Sequence, residues 1–100
     1  MLGRFRDKLA TAQQLRKKGD LHKALPLFEE IVAEEQDNIG ARRDLAGLYL
    51  ELGRKEEARI LYVEVAEAYA HAGLLLKAIV TCKLVLDLQP DHQNTQALLA

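Results

Sequence analysis

One hundred residues, 49% hydrophobic and 29% charged, can bury one modest core and are too apolar for a disordered chain. The most apolar stretch, residues 73–88, is broken by Lys77 and Lys83, which excludes a membrane span. The net charge of −1 hides an uneven spread: residues 1–23 hold seven Arg or Lys against two Asp, and residues 24–67 hold eleven acids against five bases.

Two prolines and six glycines in a chain rich in alanine and leucine describe helices with few breaks. The first helix is expected near 3–18, with an apolar stripe of Leu2, Phe5, Leu9, Ala12 and Leu15 at helical spacing. The second should cover 21–36; Pro26 lies just past its first turn and removes one backbone bond. A capping Asp-Asn pair, Asp37-Asn38, opens a third helix over 39–52. No Pro or Gly interrupts 55–72, which reads as one helix apolar on most sides, from Ile60, Leu61 and Tyr62 to Val65, Ala66 and Tyr69. Only Glu57, Glu64, Glu67 and His71 make a polar stripe on it, so it should be packed from more than one direction. Further helices are expected over 74–89 and 92–100.

Internal repeats tie these helices together. Gly19-Asp20-Leu21-His22-Lys23-Ala24-Leu25 recurs as Gly73-Leu74-Leu75-Leu76-Lys77-Ala78-Ile79, with a looser copy at Gly53-Arg54-Lys55-Glu56-Glu57-Ala58-Arg59. In each copy a glycine ends one helix, and an alanine five residues on lets the next approach closely. Four residues past the alanine stand Phe28, Tyr62 and Cys82, all expected in the core, Cys82 as a buried packing thiol. The segment from Asp37 to Ala46 aligns with that from Asp91 to Ala100. The chain is therefore expected to be a fragment whose continuation completes another hairpin.

The 34-residue step from Gly19 to Gly53, with Leu45-Ala46, Tyr49, Gly53, Ala58 and Tyr62, resembles the tetratricopeptide repeat. Leu15, Gly19, Ala24 and Phe28 repeat part of the pattern upstream, and Pro90 matches its helix-ending proline. The resemblance implies an all-α, right-handed solenoid of stacked antiparallel helical hairpins with five to six helices. The units would be 3–36, 39–72 and 55–90, with 91–100 opening another, all within a single domain. The step of only 20 residues from Gly53 to Gly73 departs from the family and makes helix 55–72 shared between two units. Residues 65–69 and 74–79 are also loosely similar to the helical-repeat region of bacterial multidomain proteins, including some with cyclic-nucleotide-binding domains. On that likeness any nucleotide site would lie outside these residues.

Candidates for chemistry are few. Cys82 is alone, so no intramolecular disulfide or cysteine cluster can form, which fits a reduced, cytoplasmic setting. His22, His71 and His92 stand near different helix ends with no second ligand at metal spacing. The glycines end helices and never cluster into a phosphate loop. No nucleophile, base and orienting group can be assembled, so neither catalysis nor a metal or cofactor is expected. The acidic run Glu29, Glu30, Glu34, Glu35 and Asp37 reads as a solvated or docking face.

The resemblance places a partner-binding surface on the first helix of each unit. Carried over by position, it shows Arg6, Leu9, Gln13, Arg16 and Lys17 on the first helix, then Arg43, Gly47, Leu50 and Glu51 on the third. Leu9 and Gln13 stand where carboxylate-binding members carry a Lys and Asn clamp, so that activity is not implied. The expected function is a protein–protein interaction module that binds a partner peptide or helix. Self-association into a homodimer is the alternative, and nucleic-acid binding through the basic first helix the lesser one.

Overall fold

Gly19, Gly53 and Gly73 all have positive φ, at 89°, 78° and 78°. A side chain is strained in that conformation and glycine is not, so each can close the helix before it. The computed structural model, which describes the backbone of residues 2–89 and the side chains of residues 7–89, shows the same closure three times. The Gly19 N–H donates to the Arg16 carbonyl at 3.0 Å, and the Asp20 N–H to that of Leu15 at 2.9 Å. Gly53 and Arg54 donate likewise to Leu50 and Tyr49, as do Gly73 and Leu74 to Ala70 and Tyr69. Carbonyls orphaned by the helix end are thereby satisfied, and the next helix starts at once.

Five helices result: α1 (Leu2–Lys18), α2 (Leu21–Glu34), α3 (Ile39–Glu51), α4 (Lys55–His71) and α5 (Leu75–Leu88). Their ends fall within two residues of the expected ones. The α2–α3 connection lacks a glycine. It relies instead on Asn38, whose side chain accepts the Ala41 N–H at 3.0 Å and caps α3. The sixth expected helix, 92–100, and Pro90 lie outside the described residues.

One core runs through the first four helices. Ala12 of α1, Ala24 and Phe28 of α2, Leu45, Ala46 and Leu48 of α3, and Ala58, Leu61 and Tyr62 of α4 form a single buried cluster. Ala12, Ala24, Ala46 and Ala58 are all fully buried, so short side chains stand where backbones come close. Phe28, Ile31, Leu48 and Val65 supply the volume, each worth roughly 1.5–3 kcal/mol of apolar burial.

Helix α4 is packed from two directions, by α3 and by α5. Ala58, Leu61 and Tyr62 belong to the main core, whereas Val65 and Tyr69 join Ala78 of α5 in a second cluster. Ile60 departs from expectation: it is 51% exposed and lies one turn from Glu57 and Glu64, at an open hollow that Leu45 and Tyr49 of α3 also line. The described stack measures 52 × 31 × 18 Å.

The charge asymmetry of the sequence is partly resolved inside the fold. Lys8 Nζ reaches Glu30 at 3.0 Å and Glu34 at 3.9 Å, tying early α1 to late α2 in antiparallel sense. Arg16 crosses from late α1 to Glu51 at the end of α3, which therefore runs parallel to α1.

Candidate partner-binding surface

Gln13, Arg16 and Lys17 sit one helical turn apart on α1 and meet Asp44 and Glu51 of α3 around an open hollow of ≈ 470 Å³. Arg16 is half-buried there. Its Nε donates to the Glu51 carboxylate, and its Nη1 donates to the Asp44 carbonyl at 3.3 Å. Gly47 makes the arrangement possible, because a Cβ at that position would stand 2.7 Å from Arg16 Nη2.

Arg43 faces a different hollow. Its Nη1 donates to the Tyr69 hydroxyl at 3.3 Å, and its Nη2 lies 3.8 Å from the Asp44 carboxylate. Asp44 thus offers its carbonyl to Arg16 and its carboxylate to Arg43. Of the remaining expected residues, Leu9 and Leu50 pack half-buried against the core, and the Arg6 side chain lies outside the described residues. The surface read from sequence is therefore gathered at Gln13, Arg16 and Lys17 and divided from Arg43.

The hollow beside Arg43 is a cleft of ≈ 320 Å³ between α3 and α5. Tyr62 and Tyr69 of α4 line its floor, Leu76, Val80 and Leu84 of α5 its wall, and Lys77 stands with Arg43 among the lining residues. Burial pushes the Tyr62 hydroxyl pKa up, against the pull of the Arg16 and Arg43 charges, so it stays neutral as a donor and acceptor. Lys77 Nζ sits 5.7 Å from the Tyr69 ring centroid, within cation–π range. The residues of α5 were not singled out for binding in the sequence. Their signal was the run Leu74-Leu75-Leu76 beside Lys77, more apolar side chains than one packed face can bury.

A third hollow, ≈ 430 Å³, opens between α4 and α5 beside Ala66, Ala70, Ala78, Cys82 and Leu86. Cys82, expected to be a buried packing thiol, is exposed there. The repeat explains the correction. Phe28, the corresponding residue of α2, is fully buried because Leu45, Ala46 and Leu48 of the following helix cluster with it. Among the described residues no helix follows α5, and Cys82 faces an open groove.

Among the described residues no three of His, Cys, Asp and Glu gather to hold a metal ion. No described helix is long and apolar enough to cross a membrane.

Helices joined in antiparallel pairs, closed by glycine turns and crossing at alanines, define a helical-repeat protein. The tetratricopeptide repeat profile matches residues 15–70, more than half the chain, and the chain belongs to that family. Two solved structures from Salinibacter ruber are similar to it. A tetratricopeptide repeat domain protein determined by solution NMR is 27% identical with a TM-score of 0.73, over 88% of this chain and 85% of its own. A crystal structure of a tetratricopeptide repeat domain protein is 28% identical with a TM-score of 0.69, over 87% of this chain and 92% of its own. No curated protein matches the sequence.

Proposed function

We propose that this chain is a protein–protein interaction module that binds a peptide or helix of another protein on its helical-repeat surface. The family generally provides non-enzymatic scaffolds of this kind. The observation that carries the reading is the apolar surface along α5, where Leu75, Leu76, Ile79 and Val80 are 63%, 81%, 65% and 61% exposed. A contiguous apolar strip held on a rigid helix marks a surface that another molecule covers. Arg43 and Lys77 stand among the residues beside that strip, and Gln13, Arg16 and Lys17 line a separate polar hollow, so charge can select the partner.

The test is affinity capture from native cell extract with wild-type protein and a Leu76→Asp/Ile79→Asp variant as parallel baits. Both residues are exposed, so the variant should fold, and proteins held by wild type should be lost from it. The same proteins on both baits would remove this surface as the basis of the function. Charge reversal at Lys17 and Arg43 should weaken the surviving interaction without moving the melting temperature.

Self-association is supported by the groove between α4 and α5. It repeats the α1–α2 groove that α3 fills, so a helix of a second copy fits its shape. Sedimentation over a dilution series separates this reading from the first. Nucleic-acid binding is less favoured, because Lys8 and Arg16 of the basic helix are already paired with Glu30 and Glu51.

A further inference from the structure

We infer that the cleft between α3 and α5 is the seat of a short acidic amphipathic helix from another protein. This rests on the interaction-module reading and names the chemistry of the partner. The cleft follows from the order of the helices, which leaves α3 and α5 on either side of a single α4, as α1 and α3 lie on either side of α2. Tyr62 and Tyr69, 6% and 4% exposed, form its floor.

Charge decides what fits. Arg43 and Lys77 converge on Tyr69 from two helices, one at the hydroxyl and one over the ring. No carboxylate lines the cleft. The contact of Arg43 with Asp44 is loose at 3.8 Å, and Lys77 makes no ion pair among the described residues. Two cations beside an apolar wall favour a ligand that brings carboxylates with its apolar side chains, because charge-assisted hydrogen bonds strengthen as water leaves the site.

Shape decides its conformation. Leu76, Val80 and Leu84 recur every fourth residue, which forms a ridge along α5, and their exposure falls from 81% to 61% to 38%. Such a ridge packs against the complementary row of another helix. The partner helix then carries apolar residues at i and i+4 on the face that meets this ridge. Its Asp or Glu residues, one turn to the side, reach Lys77 and Arg43.

The experiment is selection of a phage-displayed library of random 16-residue peptides on the intact protein. Enriched peptides are then synthesised and measured by fluorescence anisotropy. The expected binders combine apolar residues at i and i+4 with neighbouring Asp or Glu. Val80→Glu and Lys77→Glu should each weaken them at least tenfold with no change in melting temperature, and a peptide with its acids changed to Lys should regain affinity for Lys77→Glu. Binders that hold Val80→Glu as tightly as wild type, or that lack acids, overturn the assignment while leaving the interaction module standing. Dimerisation that Val80→Glu abolishes would give the cleft to a second copy and overturn it too. A library that yields no binder has the same consequence.

Discussion

The Arg16 guanidinium lies in the space that a side chain at Gly47 would take, and from there it pairs with Glu51 on the same helix as that glycine. A glycine inside a helix costs roughly 1 kcal/mol relative to alanine, while a solvent-facing ion pair contributes about 0–1 kcal/mol. The two effects oppose each other at one position. Gly47→Ala should therefore stabilise the protein by less than the full propensity gain, because its Cβ displaces Arg16. In an Arg16→Ala background the same substitution should yield the full amount, about 1 kcal/mol. Urea denaturation of the four proteins tests this, and an equal gain in both backgrounds would show that Arg16 does not depend on Gly47.

The repeated alanines give a second test, with different outcomes at two equivalent places. Ala24 is completely buried within the main core, whereas Ala78 is 8% exposed and borders the open groove beside Cys82. Ala24→Phe should overpack its site and cost roughly 1–3 kcal/mol or more. Ala78→Phe should cost distinctly less, since its ring can turn into the groove. Equal losses in thermal melts would mean that the groove is closed in solution.

Acid should loosen the start of α4 first. Arg54 grips Glu57 with two hydrogen bonds of 2.6 Å, and Arg59 pairs with Glu56 in the same turn. The hydrogen bonds from these arginines hold both carboxyls below their ordinary value of 4.5, with slight burial opposing. A folded-state pKa that is depressed contributes stability present above the unfolded value and lost as pH falls through the folded one. The melting temperature should accordingly fall below pH 4.5, and a Glu56→Gln/Glu57→Gln variant should show a shallower fall. A variant with the wild-type pH profile would assign the acid sensitivity to other carboxylates.

What could be read from the sequence was set by local chemistry. Gly19, Gly53 and Gly73 announce helix ends because only their backbone closes the turn freely, and Asn38 announces a start because its side chain is a cap. The two-sided packing of α4 was legible because Leu61, Tyr62, Val65 and Tyr69 cover more of its circumference than one neighbour can bury. Burial was harder to read, because it depends on what packs next. Ile60 has the hydrophobicity of a core residue but lies on the face of Glu57 and Glu64. The cleft at Tyr69 was least legible: Arg43 and Lys77 are 34 residues apart in sequence and meet only because α3 and α5 fold onto the same helix, α4. Leu9 and Leu50 show the converse, since the family resemblance placed them on a binding face while the fold turns them half into the core.

Cys82 carries the last prediction. Its place in the repeat is that of Phe28, yet it stands exposed over the groove between α4 and α5. An accessible thiol reacts at the rate of its exposed thiolate, whereas a buried one must wait for the structure to open. The native protein should therefore react with a maleimide within about tenfold of its rate in denaturant, where no folded barrier remains. A matched control places the thiol in the closed half of the fold: Ala24→Cys combined with Cys82→Ser, at a position with no exposure. That thiol should react at least a hundredfold more slowly, on the order of the cost of a local opening of 3 kcal/mol. If Cys82 proves as protected as the residue-24 thiol, the groove is covered in solution, and a dilution series identifies the cover. Protection that fades on dilution assigns it to a second copy. Protection independent of concentration assigns it to the same chain.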